Sequence, residues 1–294
     1  IPNNNPKNTY NNSEGLGIQA FFYIFITKYF MIKLVSLLRE AIKKPKAIFL
    51  AGPAGSGKST IAKQLLPSNI PVLNIDDTYE QMLKDTELGM DIKNFTPDQL
   101  SQAAELMASA RKTTDEKYQE LLKSLNNIII DGTAGASRPI SKKKEQLEAL
   151  GYDTMMLMLY VSPITSLERN KERERSLLPG IVLRTWRDVN SNIDTYRDMF
   201  GKDKFILINN NPPKAETQFN PKDIKTRFFD TSTAKGRSKT PEEQAKSKAE
   251  SEKLNQNIQQ LLQTTPKFDN LSTAKTKIKN FYLNNESTYQ TFNI

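Results

Sequence analysis

The chain has 294 residues, a formal net charge of +9, and neither Cys nor His. The missing Cys excludes disulfides and thiolate metal centres, and the missing His excludes imidazole ligands and imidazole acid–base catalysis. A general base must therefore be a carboxylate, and any metal must be a hard ion held by oxygen. The positive balance suits an anionic partner, such as phosphate or nucleic acid.

Residues 1–15 are rich in Asn, Pro and Ser and read as disordered. An apolar run, Ala20 to Ile32, follows. It is shorter than the ~20 residues a spanning helix needs, and Lys28 interrupts it. It reads either as a membrane anchor or as part of a non-native leader, residues 1–30, ahead of a natural start at Met31. A membrane role is not the expectation, and the absence of Cys suits a cytoplasmic protein. Leu34, Leu37, Leu38, Ala41 and Ile42 then make a helical stripe stopped by Pro45.

The most informative stretch comes next. Ala47-Ile48-Phe49-Leu50-Ala51 is a short apolar run that predicts a buried strand. It feeds Gly52-Pro53-Ala54-Gly55-Ser56-Gly57-Lys58-Ser59-Thr60, the spacing of a phosphate-binding loop. Ser59 to Leu66 predicts a helix ended by Pro67. Glycines there let successive backbone N–H groups converge on phosphate oxygens at a helix N-terminus. The expected nucleotide contacts are Gly52, Gly55, Ser56, Gly57, Lys58, Ser59 and Thr60. Lys58 would reach the outer phosphates of ATP, and Ser59 would ligate Mg2+.

Pro71 to Ile75 predicts a second strand running into Asp76-Asp77-Thr78-Tyr79. Carboxylates at a strand C-terminus lie where parallel α/β sheets place ligands; Asp77 could instead cap the following helix. Residues 80–126 predict a mostly helical insertion, with a Thr96/Gln99 capping box and Pro97 at the first helical position. Asn127 to Thr133 predicts a third strand, placing Asp131 where an acid orients Mg2+. Gly132 stands where ATPase motors carry a water-activating acid. A helix over 140–150 and a fourth strand over 153–161 follow.

Leu167 to Arg175 is a mixed-charge helix that reads as a lid folding arginines over the triphosphate. Val182, Trp186, Val189, Ile193, Tyr196 and Phe200 predict one amphipathic helix, and Lys204 to Asn209 a fifth strand. Beyond Pro213 the chain turns polar and holds more than half of the positive surplus. It predicts one long helix, from Thr240 to about Gln263, with flexible segments over 230–238 and the last 15 residues. Such a tail is a solvated appendage or a surface for nucleic acid. The expected organisation is a leader (1–30), a phosphate-loop domain (31–212) and a basic helical or disordered tail (213–294).

Over 46–209 the chain resembles the kinase branch of the phosphate-loop proteins, in particular the zeta-toxin-like and polynucleotide-kinase-like families. The likeness rests on Gly52–Thr60, Ile75-Asp76-Asp77-Thr78-Tyr79, Ile130-Asp131-Gly132-Thr133 and the arginines of 169–175. It implies an α/β fold with a parallel sheet of about five strands, helices on both faces, and a lid. It also implies transfer of the γ-phosphoryl group of ATP to a hydroxyl of a nucleotide sugar or a polynucleotide end. Asp77 matches the zeta-like Asp-Thr-aromatic, and Asp76 the first Asp of the polynucleotide-kinase pair. The catalytic set so implied is Lys58, Asp76, Asp77, Arg173 and Arg175, with Arg169 on the nucleotide and Ser59 and Asp131 on the metal. Two rival classes are a nucleic-acid-stimulated NTPase and an ATP-binding protein without turnover. Gly132 argues against a motor, and Asn170-Lys171-Glu172-Arg173 lacks the Asp of a guanine-reading motif.

Overall fold

The structure, a computed structural model, describes residue 28 and residues 44–90, 92, 95–213, 218–228 and 240–283. The chain divides into two units, Ile1–Lys44 and Pro45–Ile294. Of the first unit only Lys28, which is helical, and Lys44 are described, and both are exposed. The apolar run and the 34–42 stripe lie outside the described residues, as do the segment 230–238 and the last residues of the tail. No helix among the described residues is long and apolar enough to cross a membrane.

The second unit is built on five parallel strands: β1 (Lys46–Ala51), β2 (Val72–Asn74), β3 (Ile128–Asp131), β4 (Asp153–Tyr160) and β5 (Phe205–Asn209). Their order is β2-β3-β1-β4-β5. β1 is fully buried because both faces of the sheet are covered, which is why it reads as a continuous apolar run. Ala47, Phe49 and Ala51 enter one cluster and Ile48 and Leu50 the other, as the two-residue repeat of a strand requires.

The helices follow from the same division. The Ile48 face is covered by α1 (Lys58–Leu65), through Ile61. Beside β2 lie α2 (Ile75–Lys84) and α3 (Pro97–Lys123), with Tyr79, Leu83 and Ala110 between them. Thr96 and Gln99 close the predicted capping box. The Phe49 face takes Tyr118 and Leu122 of α3 and Leu147 of α4 (Ser137–Ala149). After β4 come α5 (Pro163–Lys171), α6 (Pro179–Asn190) and α7 (Ile193–Phe200).

Two expectations are corrected here. The helix expected over 182–200 is two helices, broken at Ser191-Asn192. The Asn192 amide donates to the carbonyls of Asp188 and Gly135; α6 reaches both clusters, with Trp186 in one and Val189 in the other, which Tyr196 and Phe200 of α7 join after the break. The predicted lid helix ends at Lys171, so Arg173 and Arg175 stand on an irregular turn.

The region after β5 holds three described helices rather than one: α8 (Pro221–Phe228), α9 (Pro241–Gln263) and α10 (Leu271–Leu283). Ile258 of α9 and Ile224 of α8 pack against Leu167, Val182 and Trp186. Ala274, Ile278 and Phe281 of α10 lie on the sheet beside Ile206 and Ile208. Just before α10, Asp269 pairs with the open edge of β5. Its N–H donates to Leu207 O at 2.7 Å, and its carboxylate accepts from Leu207 N at 3.1 Å.

At the N-terminal ends of the strands Asp153 meets Lys46 Nζ at 3.1 Å and also Lys204. Burial raises the Asp153 carboxyl, but the two lysines outweigh it and hold it below the usual range. Stabilising charge pairs thus gather at this end, and the reactive groups at the other.

Candidate active site

The phosphate loop lies at the C-terminal end of β1, which is flanked by β3 and β4, the place where chain order reverses and a crevice opens. Gly52 N donates to Thr133 O at 3.3 Å and Gly132 N to Leu50 O at 3.1 Å, so the β3 exit fixes the start of the loop. Gly57 caps α1 in the left-handed region, φ 80°, and no side chain accepts from the first turn. Those N–H groups are therefore open to an anion. Gly55 is left-handed as well, at φ 72°.

Lys58 Nζ donates to Gly52 O at 2.9 Å and reaches Pro53 O at 3.5 Å, folding its ammonium back over the loop. Burial lowers its pKa, with Asp131 the largest opposing charge. Ser59 and Thr60 are exposed at the mouth of the loop, and Ser56 is buried with its hydroxyl lacking a hydrogen-bond partner.

Asp131 closes the crevice from β3. Its Oδ2 accepts from Asn74 Nδ2 at 3.0 Å, whereas Oδ1 is buried and has no hydrogen-bond partner. Burial pushes its pKa up to about 6; Lys58 opposes the rise, and Asp77 and Asp76 add to it. Two orphaned oxygens, Ser56 Oγ and Asp131 Oδ1, beside an open helix N-terminus fit a site that completes itself on a phosphate and its cation. Among the described residues no group of three or more Asp or Glu could hold a metal unaided.

The raised Asp131 carboxyl has a consequence for stability. Its folded value lies above the unfolded value of about 3.9, so the folded chain binds more protons between about pH 4 and 6, and this group's contribution falls as pH rises through that window. We predict that Asp131→Asn stabilises the ligand-free protein relative to the wild type by an amount that grows from pH 4 to 7, to at most ~3 kcal/mol. Urea unfolding at four pH values measures it; a pH-independent difference would show that the carboxylate is not strained by burial.

Asp76 and Asp77 open α2, as the sequence places them, but neither is the cap. Asn74 is the cap, and its Oδ1 accepts from Asp76 N at 2.9 Å and Asp77 N at 3.4 Å. A cap at Asn74 frees both carboxylates from local duty. Asp76 pairs with Arg175 Nη2 at 2.9 Å. Asp77 carries no ion pair among the described residues, and desolvation, then Glu80 and Asp76, raise its pKa.

The three lid arginines separate. Arg169 is bound to backbone around the loop: Nη1 donates to Gly55 O at 3.2 Å and Nη2 to Asn210 O at 3.1 Å. Arg175 is 8 % exposed, with Nε on Glu80 at 2.9 Å and Nη2 on Asp76. Burial alone would lower its pKa, but Glu80 and Asp76 outweigh that and keep it charged. Arg173 is 43 % exposed and touches Glu80 at 3.5 Å.

Sequence reasoning missed five residues of this site. Asn74 serves both Asp131 and α2. Glu80 gathers the two arginines. Asn210, after β5, donates to Ser56 O at 2.8 Å, and Ser166 of α5 donates to Ala54 O at 2.5 Å. Thr78 donates to Asn74 O and accepts from Thr114 of α3. A polar residue directly after a predicted strand was a usable signal for Asn210; Asn74 was masked by its place inside the strand expected over 71–75. Nothing local distinguishes Glu80 or Ser166 from surface polar residues.

The chain resembles, at 18 % identity and TM-score 0.41, a structure of the PezAT chromosomal toxin–antitoxin system of Streptococcus pneumoniae, covering 76 % of this chain and 89 % of that one. It also resembles the AvrRxo1-ORF1:AvrRxo1-ORF2 complex with ATP, at 14 % identity and TM-score 0.44, covering 85 % and 87 %. Neither likeness carries an activity to this chain, and no curated protein sequence matches it. The zeta toxin family matches residues 35–195, a span that holds the phosphate loop, Asp76, Asp77, Asp131 and all three arginines, and that exceeds half of the chain. The chain therefore belongs to the zeta toxin family of phosphate-loop kinases.

Proposed function

We propose that the protein transfers the γ-phosphoryl group of ATP to a hydroxyl, with Asp77 as the general base. The observation that carries the choice is the difference between neighbours: the Asp76 carboxylate is held by Arg175, whereas Asp77 has no ion pair among the described residues and its pKa is raised by desolvation and then by Glu80 and Asp76, against a hydrogen bond from Asn74. A base must be free to accept a proton, and a raised pKa strengthens it.

In this reading the loop N–H groups and Lys58 hold the β- and γ-phosphates. The acceptor hydroxyl gives its proton to an Asp77 oxygen as it attacks the γ-phosphorus. Arg173 faces the charge that spreads over the transferred group. Asp131 and Ser59 would hold Mg2+ together with phosphate oxygens, and the ion, when bound, neutralises phosphate charge. Arg169 and Asn210 keep the loop in shape through its backbone carbonyls.

A nucleotide sugar and a nucleic-acid 5′ end are the two acceptor classes we propose. Incubation with γ-labelled ATP, UDP-sugars, and 5′-hydroxyl RNA and DNA separates them. We expect label in one class of acceptor; label released only as free phosphate, with stimulation by nucleic acid, would overturn the kinase reading in favour of an NTPase.

A further inference from the structure

Asp76, Glu80 and Lys84 lie four residues apart on α2 and form one stripe along it. The arginine turn after α5 docks on that stripe. Arg175 meets Asp76 and Glu80, Arg173 meets Glu80, and Glu174 meets Lys84 at 3.9 Å. Among the described residues, the pairs centred on Glu80 are the ones that join the two arginines to each other. One oxygen, Glu80 Oε1, receives Arg175 Nε at 2.9 Å and Arg173 Nη2 at 3.5 Å.

The two arginines differ in what remains available. Arg175 is nearly buried, divided between two carboxylates, and its guanidinium carbon lies 5.5 Å from the centre of the Tyr79 ring. At 8 % exposure it offers a phosphate little surface, and two of its nitrogens are already committed to carboxylates. Arg173 is 43 % exposed and has one longer contact, so most of its donors remain open. Its charge is felt at Lys58, Asp77 and Asp131, the groups that surround the reacting centre.

We propose that Glu80 is a positioning residue: with Arg175 as a buried anchor, it holds the turn on α2 so that Arg173 faces the transferred phosphoryl group. The inference rests on the kinase reading, and assigns the transition-state contact to Arg173 and an architectural role to Arg175. A carboxylate on the acceptor-side helix thereby sets the aim of an arginine on the nucleotide side. The turn itself has no regular secondary structure over Arg173–Leu178 to fix that aim.

Binding, rather than turnover, tests this without knowledge of the acceptor. The dissociation constants of ADP and of ADP with aluminium fluoride, both in magnesium buffer, are measured for the wild type, Glu80→Ala, Arg173→Ala and the double variant. The wild type is expected to bind the fluoride complex ~100-fold or more tightly than ADP, as a transition-state mimic should bind. Glu80→Ala should lose about tenfold of that preference with ADP affinity unchanged, and should cost nothing further in the Arg173→Ala background. Losses that multiply in the double variant, or that fall equally on ADP and the fluoride complex, would overturn the positioning role. A wild type with no preference for the fluoride complex would overturn the kinase reading and the inference with it. Glu80→Gln keeps the oxygen that accepts from Arg175 and serves if the alanine variant does not fold; a smaller loss with the same non-additivity is expected, and full retention would overturn the proposal.

Discussion

Asp77→Asn is expected to reduce phosphoryl transfer by ~10³-fold while leaving ATP affinity within about twofold, because general-base catalysis contributes about 10²–10⁴-fold. The substitution is nearly isosteric and removes no cap, since Asn74 holds the start of α2. It removes only the oxygen that takes the proton. Asp76→Asn should behave differently. It weakens the clasp on Arg175, leaving Glu80 as the one paired carboxylate on that buried guanidinium, so its cost should appear partly as lowered stability and as a smaller loss of rate. Single-turnover transfer and thermal unfolding of both variants measure the split. Equal rate losses with unchanged stability would remove the distinction between the two aspartates.

Gly55→Ala is expected to weaken ATP binding by about a hundredfold. Gly55 has φ 72°, where a side chain is strained, at roughly 1–2 kcal/mol for leaving the favoured region. Space is the larger obstacle. A Cβ there would lie 2.7 Å from Ser166 O, a backbone atom of α5, and 3.1 Å from Arg169 Cβ. A helix backbone cannot step aside as a side-chain tip can, so the loop must move. Moving it breaks the Arg169 and Ser166 bonds to Gly55 O and Ala54 O that hold the N–H groups in their converged arrangement. Calorimetric titration of ATP measures the effect; an affinity within threefold of the wild type would show that the loop has slack the structure does not display.

Much of this was legible in the sequence, because the informative features are local. A strand buried on both faces reads as an apolar run, and β1, β4 and β5 fell within a residue or so of their expected bounds. The phosphate loop is contiguous, so its pattern carries its geometry. What escaped was assembled from distant pieces. Glu80 and Arg175 are 95 positions apart, Ser166 and Ala54 112, and Asn210 and Ser56 154. The break between α6 and α7 was invisible for another reason. The apolar spacing runs through it unchanged, and the polar pair Ser191-Asn192 is compatible with either outcome. The two backbone carbonyls that Arg169 meets from α5 were likewise invisible in the sequence.

The pairing of Asp269 with Leu207 sets a clock on the newborn protein. β5 is an edge strand, and an unpaired edge invites other strands. The stretch from Asn209 to Leu283 must leave the ribosome before α10 can cover the sheet and Asp269 can close that edge. At roughly 5–20 residues per second this takes about 4–15 s after β5 is made. By the start of that interval the phosphate loop, Asp76, Asp77 and Asp131 have already been made, yet the sheet beneath them lacks the cover of α10. Maturation of the site is thus tied to the emergence of α10, and chains that stall before it are expected to enter aggregates or meet proteases instead of binding nucleotide.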